Sequence, residues 1–280
     1  MHSTQFINLQ GRQSLLEIAH ENKKKFLSAE PFPHIVIDGL INEELLSRCA
    51  EDFPDLSTME KVIRHSGRTD EKLASPRGND FQPKSIYSLL SFLNSSEFID
   101  FLQELTSVEE PLIPDPHFLG GGLHQIREGG FLKIHGDFCR HPETNLDRRL
   151  NVLLYLNKGW EEDYGGHLEL YDKEVSSCKQ KILPVFNRIV IFNTNDFTYH
   201  GHPDPLRCPP SQSRNSLALY YFSNGRPQTE LRTRLESAST IYRSRKGERF
   251  RFDIEHTLLQ FIPPIALQAA RRIKRILSSQ

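Results

Sequence analysis

The sequence lacks the features that mark several large classes of protein. Four cysteines are present, but they are far apart and form no CxxC motif, which argues against a disulfide framework and a structural zinc site. We therefore expect a reducing compartment, the cytoplasm. The first residues have neither a basic start nor an apolar segment, so no secretory signal is indicated. No apolar run has the length of a membrane-spanning helix.

The chain also has no excess of charge of either sign. It carries 35 Lys and Arg against 36 Asp and Glu, a formal net charge of −1. No overall field attracts nucleic acid, and we expect no nucleic-acid partner. A chain of 280 residues can bury a sizeable core, as one large domain or two small ones. Nothing in the sequence indicates an internal repeat or an oligomeric state.

The first 115 residues are predicted to form a helical support region. Apolar residues recur at helical spacing in residues 11–29, 43–50, 86–93 and 96–105. Residues 34–38 are rich in β-branched side chains and predict a short strand. Between these elements, residues 63–85 are polar and rich in turn residues. A solvated loop is the favoured interpretation there, with a mobile flap beside a substrate opening as the alternative.

Residues 116–225 change to short strands separated by turn residues. The predicted strands are Leu123–Arg127, Gly130–His135, Leu150–Asn157, His167–Tyr171, Asn187–Asn193 and Ser216–Phe222. Regular short strands of this kind predict a sandwich, a barrel or a jelly roll.

Two potential metal ligands end one of these strands. His135 and Asp137 are two positions apart, so in an extended segment both side chains point to the same side. They supply two of the three ligands of the 2-His-1-carboxylate triad that holds Fe(II). By itself His-x-Asp is weak evidence, because a polar turn after a strand gives the same pattern. The third ligand must come from elsewhere in the chain, and His200 is the candidate, with His202 as its competitor.

An arginine follows at the start of the last strand. Arg214 lies 14 positions after His200, where it is available to bind a carboxylate through two hydrogen bonds. A surface salt bridge is the alternative interpretation of the same residue.

These residues, in this order, resemble the 2-oxoglutarate- and Fe(II)-dependent oxygenases, and within them the prolyl 4-hydroxylase-like branch. The similar pattern covers roughly residues 120–223. Its parts are His135-x-Asp137, Leu153-Leu-Tyr155-Leu-Asn157, Trp160, Gly165-Gly166-x-Leu168-x-Leu170, Val190-x-Phe192, His200-Gly and Arg214-x-x-Leu-Ala-Leu-Tyr-Tyr-Phe. The resemblance implies an α+β protein with a double-stranded β-helix core, a cupin-like jelly roll, over residues 116–225. Supporting helices at 1–115 and a helical extension at 226–280 would complete one structural unit.

The resemblance also assigns roles to single residues. It implies that His135, Asp137 and His200 are the iron ligands, since His-Gly after a strand matches the motif better than His202. It implies that Arg214 binds the distal carboxylate of 2-oxoglutarate, and that Tyr155 faces this co-substrate. The tyrosine that the family carries in the strand before its His-x-Asp motif has no counterpart here.

The implied reaction is hydroxylation of a C–H bond, coupled to decarboxylation of 2-oxoglutarate to succinate and CO2. Fe(II), 2-oxoglutarate and O2 would take part, with ascorbate in support. The intact Asp137 favours hydroxylation over halogenation. The substrate stays open between a peptidyl proline and a small molecule such as a free amino acid or a sugar. A non-catalytic metal-binding β-barrel and an interaction scaffold are the competing functions.

Other polar residues near the motif have no favoured role. Cys139 and His141 are not expected to bind the metal. Arg148 and Arg149 either contact an anionic substrate or cap the sheet. Near the C-terminus, the charged residues 229–255 are interpreted as a solvated face, with an acidic partner as the alternative. Residues 264–277 predict a basic amphipathic helix, for which packing on protein is favoured over contact with an anionic membrane.

Overall fold

The computed structural model describes residues 5–78, 83–227, 240–245 and 248. The chain divides into two units, Met1–Lys246 and Gly247–Gln280. The predicted helix at 264–277 and most of the charged segment 229–255 lie outside the described residues, so both stay predictions.

Four α-helices occur in the described part of the chain, all before the strand-rich region. They are α1 (Leu15–Leu27), α2 (Glu43–Glu51), α3 (Lys84–Leu93) and α4 (Ser96–Thr106). Three of them have an N-cap residue whose side chain accepts a hydrogen bond from a backbone N–H of the first turn. These residues are Ser14 for α1, Asn42 for α2 and Ser95 for α4. The helices predicted from apolar spacing are confirmed. None of the described helices has the length and apolar character to cross a membrane.

Thirteen strands of the described residues form one antiparallel sheet that curls on itself. They are β1 (His34–Asp38), β2 (Ile63–Ser66), β3 (Asp70–Ala74), β4 (Ile113–Pro114), β5 (Gly122–Ile126), β6 (Phe131–Gly136), β7 (Asp147–Tyr155), β8 (Leu168–Tyr171), β9 (Cys178–Ile182), β10 (Arg188–Asn193), β11 (His200–His202), β12 (Arg214–Ser223) and β13 (Ile241–Tyr242). The main order is β1-β10-β7-β12-β5-β3-β6-β11-β8-β9. The predicted jelly roll, a double-stranded β-helix, is confirmed.

The alternation of side chains along β7 separates two apolar clusters. Val152 and Leu154 belong to the main core, which also contains the buried faces of the four helices. Leu153 and Tyr155 point to the opposite side, into a smaller cluster inside the curl of the sheet. The helices therefore support the outer face of the sheet, and the inner face is left to form a cavity.

The segment expected to be a solvated loop is instead a hairpin over residues 63–74. β2 pairs with β3, and β3 pairs with both β5 and β6. The expectation of a loop was wrong here because the partners of β3 in β5 and β6 lie about 50 to 60 positions away in the chain, where local apolar periodicity gives no signal. The hairpin brings Lys72 to the wall of the cavity.

Candidate active site

The three predicted metal ligands lie together inside the curl of the sheet. His135, on β6, is the register partner of His200, on β11, and Asp137 follows β6 directly. Their ligand atoms all lie within 4.8 Å of one another. Asp137 Oδ1 is 3.6 Å from His135 Nε2, and Asp137 Oδ2 is 3.5 Å from His200 Nε2. In the described part of the chain, this is the one cluster with the ligand set of a metal site.

Both imidazoles are oriented by backbone carbonyls. His135 Nδ1 lies 2.8 Å from the Lys133 carbonyl, and His200 Nδ1 lies 3.1 Å from the Thr198 carbonyl. A carbonyl can only accept a hydrogen bond, so each Nδ1 carries the proton and each Nε2 presents a lone pair to the centre of the cluster. Burial lowers the pKa of His200 to about 4, which keeps it in the neutral form that binds a metal. The donor set fits Fe(II), with one face left for other ligands.

Asp137 is held in place by two buried side chains. Its Oδ2 accepts hydrogen bonds from Arg148 Nη2 at 3.1 Å and from Asn151 Nδ2 at 2.7 Å. Burial acts to raise the pKa of Asp137, but the charge of Arg148 holds that pKa well below its usual range. The carboxylate is therefore ionised and has a fixed orientation.

Arg148 is itself fixed between aromatic rings. Its guanidinium carbon lies 3.4 Å from the ring centroid of Tyr220 and 4.5 Å from that of Phe138. The side chain is fully buried. Arg148 therefore orients a candidate metal ligand. This differs from both roles expected for it, which were contact with a substrate and capping of the sheet. Its neighbour Arg149 donates instead to Glu110 and Ser223.

Replacing Arg148 with methionine should weaken metal binding about 10- to 100-fold, the usual effect of removing a group that orients a metal ligand. The dissociation constant for Co(II) measures this. Arg149→Met is the matched control, because it also removes a buried guanidinium but touches none of the three ligands. Equal losses of affinity in both variants would mean that Arg148 acts only through stability.

Arg214 lies in the same cavity as the three ligands. Its Nε donates to the Gly166 carbonyl at 2.8 Å, and its Nη2 lies 3.1 Å from the Tyr155 hydroxyl. The guanidinium is buried, and a Cβ at Gly166 would lie 3.1 Å from Arg214 Cδ and 2.6 Å from Leu206 Cδ2. A glycine at position 166 therefore gives the arginine its space. Burial raises the pKa of Tyr155, so its hydroxyl stays protonated.

The cavity has a volume of about 200 Å³, and sequence reasoning missed several of its lining residues. Lys72, His124, Asn151 and Tyr242 are among them. Tyr242 reaches the site because β13 pairs with β6, which sets its ring centroid 5.7 Å from that of His135. These residues lie in no recognisable motif, and only the pairing of distant strands brings them together.

His202 lines the cavity but is outside the ligand cluster. Its side chain is 3% exposed, and neither ring nitrogen has a hydrogen-bond partner among the described residues. Burial lowers its pKa well below the usual value, and Arg214 and Lys72 act in the same direction. The geometry favours His200 over His202 as the ligand. Cys139 and His141 are also outside the cluster.

Gly201, between the two histidines, allows β11 to approach β6. A Cβ at this position would lie 2.7 Å from the Leu132 carbonyl oxygen and 2.9 Å from the Lys133 carbonyl oxygen. We expect Gly201→Ala to lower the free energy of unfolding by about 1–3 kcal/mol, as overpacking does, and to separate His200 from His135. Chemical denaturation and the Co(II) affinity measure the two effects. Gly67→Ala is the control, since nothing lies within 4 Å of a Cβ there.

Comparisons with known proteins identify similar sequences and folds. Residues 121–222 match the family model of the 2OG-Fe(II) oxygenase superfamily. A mouse (Mus musculus) protein named prolyl 3-hydroxylase OGFOD1 is 29% identical over 93 residues, which are 32% of this chain and 17% of that protein. The chain therefore spans about a sixth of the length of this relative.

Solved structures share the fold. A Pseudomonas putida prolyl-4-hydroxylase superposes with a TM-score of 0.53 at 16% identity, over 75% of this chain and 100% of that one. A Trichoplax adhaerens prolyl hydroxylase, solved with a peptide fragment of hypoxia inducible factor, gives 0.56 at 17% identity, over 77% and 96%. Residues 121–222 thus resemble the 2OG-Fe(II) oxygenase superfamily in sequence, and the chain shares its fold with prolyl hydroxylases.

Proposed function

We propose that this protein is an Fe(II)- and 2-oxoglutarate-dependent hydroxylase. The observation that carries the proposal is the buried cluster of two imidazole nitrogens and one carboxylate, with a guanidinium in the same cavity. His135, Asp137 and His200 would hold Fe(II). Arg214, supported by Tyr155, would bind the distal carboxylate of 2-oxoglutarate.

Bound iron would supply the activation of O2, coupled to conversion of 2-oxoglutarate into succinate and CO2, with the second oxygen atom going to a substrate C–H bond. The chain's own residues would orient the three metal ligands. Carbonyls at residues 133 and 198 fix the two imidazoles, and Arg148 fixes Asp137. Apolar side chains of the inner face, among them Leu153 and Leu168, form part of the cavity wall.

A prolyl residue in a peptide is the first substrate class to test. This choice is supported by similar proteins whose names state the residue that they hydroxylate: they are prolyl hydroxylases. Free amino acids and sugars are the second class, since one fold of this kind serves many substrates.

The test begins with succinate release. Purified protein with Fe(II), ascorbate, O2 and 2-oxoglutarate should release succinate slowly without a substrate, and a metal chelator should stop the release. Extract treated with wild type, compared with extract treated with Asp137→Ala, should then contain a product heavier by one oxygen atom. A protein that binds iron and 2-oxoglutarate but yields neither succinate nor such a product would instead be a non-catalytic metal-binding β-barrel.

A further inference from the structure

The cavity contains a second cationic side chain besides Arg214 that no part of the proposed reaction uses. Lys72 projects from β3 into the cavity wall. Its ammonium is within electrostatic range of Asp137 and Arg148 at the metal end, and of Arg214 at the other end. Lys72 thus lines the same cavity as the three candidate metal ligands and Arg214.

The side chain of Lys72 has no ion pair or hydrogen bond with any residue that the structure describes. The two acidic residues in its surroundings are engaged elsewhere. Asp70 Oδ2 lies 2.9 Å from His65 Nδ1, and Asp137 accepts from Arg148 and Asn151. Burial lowers the pKa of Lys72. Lys72 is half-buried in the cavity wall, and an anion from outside the chain would give its ammonium a counter-ion there.

His202 provides an independent observation in the same cavity. Its imidazole is 3% exposed, and both ring nitrogens lack partners among the described residues. Buried polar atoms almost always have partners, so an orphaned imidazole in a cavity wall indicates a ligand that supplies them. The charged neighbours of this imidazole are Arg214 and Lys72.

The balance of charge in the cavity points to the class of ligand. The lining has three cationic side chains, Lys72, Arg148 and Arg214, and two anionic ones, Asp70 and Asp137. The charges of a divalent metal ion and a dianionic co-substrate cancel each other. One positive charge is then left over, and one further carboxylate would neutralise it.

We propose that Lys72 and His202 form a second carboxylate-binding subsite in this cavity, separate from Arg214. The ammonium supplies an ion pair, and the imidazole donates one hydrogen bond. This inference deepens the proposed function and rests on it. The positions of the metal and of 2-oxoglutarate define which part of the cavity would remain for a further carboxylate. The carboxylate comes from one of two sources: an acidic group on the substrate, as the charge balance favours, or the metal-chelating end of 2-oxoglutarate.

NMR of the lysine side chains distinguishes the two sources. The protein is loaded with Zn(II), its lysine ε-carbons are labelled with ¹³C, and the Lys72 signal is assigned with Lys72→Arg. 2-Oxoglutarate is added to saturation, followed by millimolar acetate. A shift of the Lys72 signal with 2-oxoglutarate assigns the subsite to the co-substrate, whereas a shift only with acetate assigns it to the substrate. The signal of Lys158, which is paired with Glu51 on the surface, should not move.

Calorimetry of 2-oxoglutarate binding gives the matching affinities. If the co-substrate occupies the subsite, Lys72→Met and His202→Leu should each weaken binding about tenfold, roughly the loss of one charged hydrogen bond, and Lys72→Arg should weaken it less. If the substrate occupies the subsite, both variants should bind 2-oxoglutarate like wild type. In that case His202→Leu should abolish the acetate-induced shift of Lys72.

A Lys72 signal that responds to neither carboxylate would overturn the inference. The proposed function has its own control in the same experiment. Binding of 2-oxoglutarate that depends on Arg214 leaves the proposed function standing, whatever Lys72 does. Failure of wild type to bind Zn(II) or 2-oxoglutarate would count against the proposed function itself.

Discussion

Replacing His200 with alanine will abolish high-affinity metal binding and reduce succinate release to background. The same result is expected for His135→Ala and Asp137→Ala. Each change removes one of three protein ligands. Among the described residues, the cluster contains no fourth side chain that could bind the metal in its place. Titration with Co(II), followed by its visible absorption, measures the metal affinity, and succinate release measures the activity.

Two further histidine variants make this expectation specific. His167→Ala is the control, because His167 contacts Glu162 at 2.8 Å and is outside the cluster. It should bind metal like wild type. His202→Ala should also keep the metal, since His202 has no place among the ligand atoms. Loss of metal binding in His202→Ala with retention in His200→Ala would reverse the assignment of the third ligand.

The metal cluster could be predicted from the sequence because its residues lie in local patterns. His135 and Asp137 share one face of an extended segment by their spacing alone. The short strands predicted a sandwich, a barrel or a jelly roll, and the resemblance to a family selected the jelly roll among these. Local spacing was not enough to predict His200 as a ligand, since only the antiparallel pairing of β11 with β6 brings it opposite His135. The resemblance to a family supplied that pairing before the structure did.

The remaining parts of the cavity wall could not be predicted, for two physical reasons. Lys72 lies in a polar stretch whose strand character comes from pairing with β5 and β6, far away in the chain. Arg148 is a charged residue that is fully buried, and charged residues are rarely buried without a partner. Its partners Asn151, Tyr220 and Phe138 become visible only in three dimensions. Contacts between side chains from several strands leave no periodic signal in the sequence.

Replacing Arg214 with methionine should raise the 2-oxoglutarate concentration needed for half-maximal succinate release about 30-fold or more. Truncating one partner of a buried charge pair costs about 2–5 kcal/mol, and each 1.4 kcal/mol is a factor of ten in affinity. The metal site should be unaffected, because Arg214 contacts Gly166 and Tyr155 and none of the three candidate ligands. Co(II) affinity in the same variant checks that point.

Two conservative variants separate the charge of Arg214 from its geometry. Arg214→Lys keeps the charge but loses the planar fork, so its requirement for 2-oxoglutarate should lie between wild type and Arg214→Met. Tyr155→Phe removes one hydroxyl at 3.1 Å from Arg214 Nη2 and keeps the ring, so its effect should be less than about tenfold. If Arg214→Met bound 2-oxoglutarate like wild type, the distal carboxylate would have to sit elsewhere, and Lys72 would be the cation in the cavity left to receive it.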